Sequence, residues 1–207
     1  GVVAPAGISF AIVWLCRKLL PASAAERWAV AAAVGVGFFA GYALMPEWAP
    51  LWPQRHWQWL PYWGVWAAIV GSFNLGRGHT TVFRWLCFLA VVIVAAGSIV
   101  PVWPTLWPPR SISIALVATY LMSLMAGLDS LPEHSRGGVM LVAMALTAGA
   151  VAILLGAEVS LIFGQLAGIA AAALAGSCVG SFLVGLQAAA RGAIPVFVVL
   201  VGGFAYV

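Results

Sequence analysis

Between Arg136 and Arg191 the chain carries a single charged side chain, Glu158. The same shortage holds throughout: 7% of the 207 residues are charged and 64% are hydrophobic. Soluble domains carry roughly 25% charged residues. In water such runs would leave large apolar faces uncovered. In a bilayer they face a solvent that suits them, provided each segment pairs its own backbone groups as a helix does. The composition excludes a soluble globular enzyme, a disordered chain and a secreted disulfide scaffold. The expected fold is an all-α integral membrane protein.

The apolar runs break at charges and prolines. They predict eight spans, at about 2–16, 28–45, 58–75, 82–100, 111–128, 138–156, 160–188 and 193–207. These fill residues 1–207 as a single transmembrane domain and leave no room for a soluble one. The chain starts at Gly1, without Met, and stops at Val207 inside an apolar run, as a truncated chain would. Ala22-Ser23-Ala24 has the form of a signal-peptidase site. A signal peptide has its positive charge before the apolar run, however, and here Arg17 and Lys18 follow it. Residues 2–16 therefore read as a retained span.

Sorting the basic residues by loop gives an orientation. Arg17, Lys18, Arg27, Arg77, Arg84, Arg136 and Arg191 fall on one side, and Arg55 and Arg110 on the other. The richer side is expected to be cytoplasmic. The N-terminus then lies outside, and the expected location is a bacterial inner membrane. The net charge of +4 is accordingly read as a topology signal, and no basic cluster beyond Arg17-Lys18 points to nucleic acid.

The outer loops are rich in tryptophan, and they carry a repeat. Residues 48–55 read W-A-P-L-W-P-Q-R and residues 103–110 read W-P-T-L-W-P-P-R. Trp48, Trp52 and Arg55 thus map onto Trp103, Trp107 and Arg110 at an offset of 55. The same offset maps Asn74 onto Asp129, His79 onto His134 and Arg136-Gly137 onto Arg191-Gly192. A repeat of this size marks a supersecondary unit. Here the unit is a helical hairpin in parallel orientation, with copies at about 28–82 and 83–137 and a degenerate one at 138–192. Proline disfavours helix continuation, and Trp and Arg favour the headgroup level. The motif is expected to form rigid outer corners anchored in lipid. Its second reading is a stacking surface for peripheral contact with a pigment, a quinone or lipid.

Small residues mark helix packing. Gly164, Gly168, Ala172, Gly176 and Gly180 follow one another at intervals of four, which lines one helix face. Gly37 and Gly41 repeat the pattern. Lipid gives little hydrophobic drive between helices, so close backbone approach does that work. The spacing leaves open whether the partner helix belongs to this chain or to another.

Chemistry is harder to find. Of the five acids, Glu158 is the candidate for a buried carboxylate, because it stands in a tight outer turn among small residues. Asn74, His79, Asp129 and His134 form two related polar patches at the inner face. Intramembrane haem needs axial ligands such as histidine within the bilayer, and no histidine lies mid-span. Lys18, the only lysine, sits at a span end, where it cannot form a buried Schiff base. Cys16, Cys87 and Cys178 form no CxxC pair, and no zinc, protease or nucleotide-binding motif occurs. No metal site, resident cofactor or catalytic constellation is expected. The sequence therefore reads as a non-catalytic membrane subunit. It would scaffold, stabilise or help assemble a larger complex, respiratory or photosynthetic in kind, with lipid and other membrane subunits as partners. The alternative is a small-solute or lipid transporter, or its membrane-binding component, supported by the tandem hairpins and their repeated polar pairs.

Overall fold

The computed structural model describes residues 2–45, 53, 56–73, 81–100, 108–130, 137–186 and 191–204. Every regular element among them is helical. The α-helices are α1 (Val3–Leu19), α2 (Ala22–Ala43), α3 (Leu60–Phe73), α4 (Thr81–Ile99), α5 (Arg110–Ser130), α6 (Gly137–Glu158), α7 (Leu161–Val184) and α8 (Ile194–Phe204), with a short 3-10 turn over His56–Trp59 before α3. Four of them, α4 to α7, are long and apolar enough to cross a membrane.

The expected spans and the helices agree in order and differ at their ends. α1 continues through Arg17 and Lys18 to Leu19 instead of stopping at residue 16. Its last turn tolerates them because cations favour the negative end of a helix, and the Lys18 ammonium lies 4.1 Å from the Trp14 ring centroid. α2 begins at Ala22, directly after Pro21, well before residue 28. Proline is compatible with a helix start, and the second turn then carries Glu26 and Arg27 as exposed and half-buried side chains. α7 is shorter than the expected 160–188. It stops at Val184 because Gly185 adopts a left-handed φ of 74°, a conformation that glycine accepts without steric cost. The Leu186 N–H then donates to the Ser181 carbonyl at 3.0 Å.

α8 is the axis of the bundle. All eleven of its residues are buried. Helices α2 to α7 surround it, with α3 and α5 making the broadest contacts. A helix that is apolar on every side has no polar face that must reach water, so it can be enclosed completely. Close fit comes from its small residues and those of its neighbours. A Cβ on Gly203 would meet Leu60 Cδ2 at 2.8 Å and Ile99 Cδ1 at 3.1 Å, and one on Gly64 would meet Leu200 Cδ2 at 3.1 Å.

Helices consecutive in the chain run antiparallel, whereas α1 and α7 lie parallel, with Ala6 against Gly176 and Val13 against Gly180. The start of α2 meets the end of α3 through an edge-on Trp28–Phe73 contact. The start of α4 meets the end of α5 through Arg84 and Asp129. The start of α6 meets the end of α7, where Gly138 faces Phe182. The ends of α6 and the start of α7 meet in turn at Gly156 and Gly164.

Candidate functional site

The small-residue ladder finds its partner within this chain. α1 lies in the cleft between α2 and α7. A Cβ on Gly176 would strike the Ala6 carbonyl oxygen and approach Ala6 Cα at 2.9 Å. One on Gly180 would approach Val13 Cβ at 3.0 Å. From the other side, a Cβ on Gly37 would strike Ser9 Oγ, and one on Gly41 would strike Ile169 Cγ2 and approach Pro5 Cβ at 3.1 Å. The Ser9 hydroxyl donates to the Ala33 carbonyl at 2.9 Å and fastens the same seam. Both sequence-defined glycine faces thus converge on one helix.

The ladder is not uniform. Gly164 faces α6, where an added Cβ would lie 2.6 Å from Gly156 Cα. Gly168 has only Val2 Cγ1, at 3.9 Å, and Ala172 is half-buried. Three of the five positions therefore enforce close approach, against two different helices. A straight row on one helix meets more than one neighbour because crossing helices diverge along their length.

Asp129 is joined to a residue the repeat does not point to. Its carboxylate accepts a hydrogen bond from Arg84 Nη2 at 2.7 Å, with both side chains largely buried. The guanidinium lies 5.7 Å from the Trp85 ring centroid, and Arg84 Nε is buried without a hydrogen-bond partner. Nothing in the spacing of 45 residues announces this pair; it follows from the antiparallel docking of α4 and α5. Asn74, His79 and His134 lie outside the described residues, as do Trp48, Trp52, Arg55, Trp103 and Trp107.

Glu158 is exposed rather than buried. It is the last residue of α6, and the chain turns at once into α7, with Ser160 Oγ accepting from the Ile162 N–H at 3.3 Å. The turn is tight, as expected, but it points the carboxylate outward. Arg110 is also exposed, and Arg110 Nη2 donates to the Gly97 carbonyl at 3.0 Å across the α4–α5 corner. Its guanidinium thus bonds to backbone and leaves its charge at the surface.

The described aromatic residues near α3 face one another. Trp59 stacks on Trp63 with ring centroids 6.2 Å apart, and Tyr62 meets Phe39 edge-on at 5.7 Å. Aromatic pairs of this geometry contribute about 0.5–1.5 kcal/mol beyond area burial. Trp66 is exposed. Among the described residues no three histidine, cysteine, aspartate or glutamate side chains gather closely enough to hold a metal ion. Cys178 is buried, and Cys16 and Cys87 are half-buried free thiols.

Comparison of the chain with protein-family models, with curated proteins and with solved structures finds no match.

Proposed function

We propose that the chain is a non-catalytic integral membrane subunit that scaffolds, stabilises or helps assemble a larger membrane complex. In this reading all eight helices lie in the membrane, as three tandem hairpins preceded by α1 and followed by α8. The units at 28–82, 83–137 and 138–192 correspond to the packed pairs α2/α3, α4/α5 and α6/α7, which supports the repeat. The alternating helices bring Arg17, Lys18, Arg27, Arg84 and Arg191 toward one end and Arg110 toward the other. That agrees with basic loops in the cytoplasm, an outside N-terminus and a bacterial inner membrane.

One observation carries the functional reading. The buried serines bond to carbonyls of this chain: Ser9 to Ala33, Ser72 to Ala68, Ser113 to Pro108, Ser177 to Ala173 and Ser181 to Ser177. Their hydroxyl donors are occupied within the bundle, and the rest of the core is overwhelmingly apolar. A solute path would need polar groups turned toward the solute. Such an interior suits a rigid body whose work lies on its outer surface. There, α4, α5 and α6 bury only about a third or less of their apolar windows.

The polar candidates supply the test. In cells or vesicles carrying Glu158→Gln or His134→Ala, assembly of the chain and uptake of small solutes are measured together. The subunit reading expects both to match the wild type. Loss of uptake with assembly intact would replace it by the transporter reading.

A further inference from the structure

Helices α4 and α5 pack side by side and leave a groove between them on the outer face of the bundle. The groove has a volume of about 730 Å³ and runs from Trp85 and Ala126 at one end to Ile93 and Ser111 at the other. At about 1.5 Å per residue the α5 wall is about 22 Å long. One leaflet, half of a core of about 30 Å, is about 15 Å deep. An acyl chain entering from either end fits its full depth.

The chemistry of the lining selects the occupant. Thr119 and Ser123 face the groove, but their hydroxyls already donate to the Ala115 and Thr119 carbonyls at 2.8 Å. They offer no donor to a polar partner helix. Apart from Ser111 and the Trp85 indole at its two ends, the remaining wall is apolar, from Leu89, Ile114 and Met122 among others. The two ends differ in charge. At the Trp85 end, Arg84 is neutralised by Asp129. At the Ser111 end, Arg110 reaches across to the Gly97 carbonyl and forms no ion pair among the described residues. Gly97 itself leaves open space on that side. An apolar slot with one uncompensated cation at its mouth is complementary to a molecule with an apolar chain and an anionic head.

We infer that the α4–α5 groove binds an anionic phospholipid, with an acyl chain along α5 between Ser111 and Ala126 and the phosphate at Arg110. This inference requires that the chain resides in a bilayer; it does not depend on the subunit reading.

The full chain is purified in mild detergent, exchanged into nanodiscs of equal phosphatidylglycerol and phosphatidylcholine, and re-extracted. The lipids that stay bound are then counted by native mass spectrometry. The wild type is expected to retain phosphatidylglycerol over phosphatidylcholine by about fivefold, the factor for one basic side chain near an anionic headgroup. Arg110→Gln removes that preference, whereas Arg17→Gln, at an exposed cation far from the groove, keeps it. Ala115→Phe, which fills the groove from an exposed position, lowers retention of both lipids. Unchanged selectivity in Arg110→Gln, or unchanged retention in Ala115→Phe, overturns the assignment. So does a wild-type particle that proves to be a dimer closed over this groove, shown by cross-linking of a Ser123→Cys variant.

Discussion

At the scale of single residues, the glycines separate into those that hold a neighbour and those that do not. Gly176 touches the backbone of Ala6, which cannot move aside without shifting α1. Gly176→Leu is therefore expected to destabilise the protein by at least the about 1–3 kcal/mol typical of overpacking. Gly168→Ala, with only Val2 Cγ1 nearby at 3.9 Å, is expected to raise stability slightly, by about 0.5–1 kcal/mol, because alanine is the better helix former. Thermal unfolding of both variants in one detergent checks the contrast. The ladder was legible in the sequence because its period of four is a property of one helix. Its mates were not, because a row of small residues records that something comes close, not what. The Arg84–Asp129 pair makes a second case. Asp129→Asn should cost about 1–3 kcal/mol, since it leaves a largely buried cation with a weaker partner. The swapped pair Arg84→Asp with Asp129→Arg should recover part of that loss. A double variant no more stable than the worse single one would mean that the contact contributes little. This pair was hidden in the sequence, where the repeat drew attention to Asp129 and Asn74 instead.

At the scale of elements, the order of helices followed from the apolar runs, while their limits depended on caps. The hydropathy pattern continues past Val184, but Gly185 turns the chain into the left-handed region and ends α7 there. Gly185→Val should therefore destabilise the α7 terminus, with its added Cβ strained by a φ of 74° although no neighbour crowds it. A lower unfolding temperature together with faster amide exchange at Leu186 is the expected result. At the other end of α7, Ser160→Ala should cost only about 0.5 kcal/mol, the lower end for a lost cap, because the bond to Ile162 is 3.3 Å long. The Glu158 turn shows the limit of composition. Small residues around an acid predicted burial, yet the side chain at a helix end points wherever the turn sends it.

At the scale of the molecule, α8 holds the other helices together, and α1 closes the seam between α2 and α7. The eleven residues of α8 are buried on all sides. A charge placed there, as in Val198→Lys, should cost about 2.5–3.5 kcal/mol on the insertion scale and prevent a monodisperse particle in gel filtration. The all-helical character was legible because a chain so poor in charge has few other ways to satisfy its backbone. The central place of α8 was not, since its run is shorter than that of the peripheral α4 to α7. The functional reading rests on an interior whose buried hydroxyls bond to this chain's own carbonyls and on broad outward apolar faces. Its most direct test is the mass and composition of the particle released from native membranes by mild detergent. Other membrane polypeptides are expected at fixed stoichiometry with this 21.6 kDa chain. A particle made of this chain alone, active in solute uptake once reconstituted, would contradict the subunit reading.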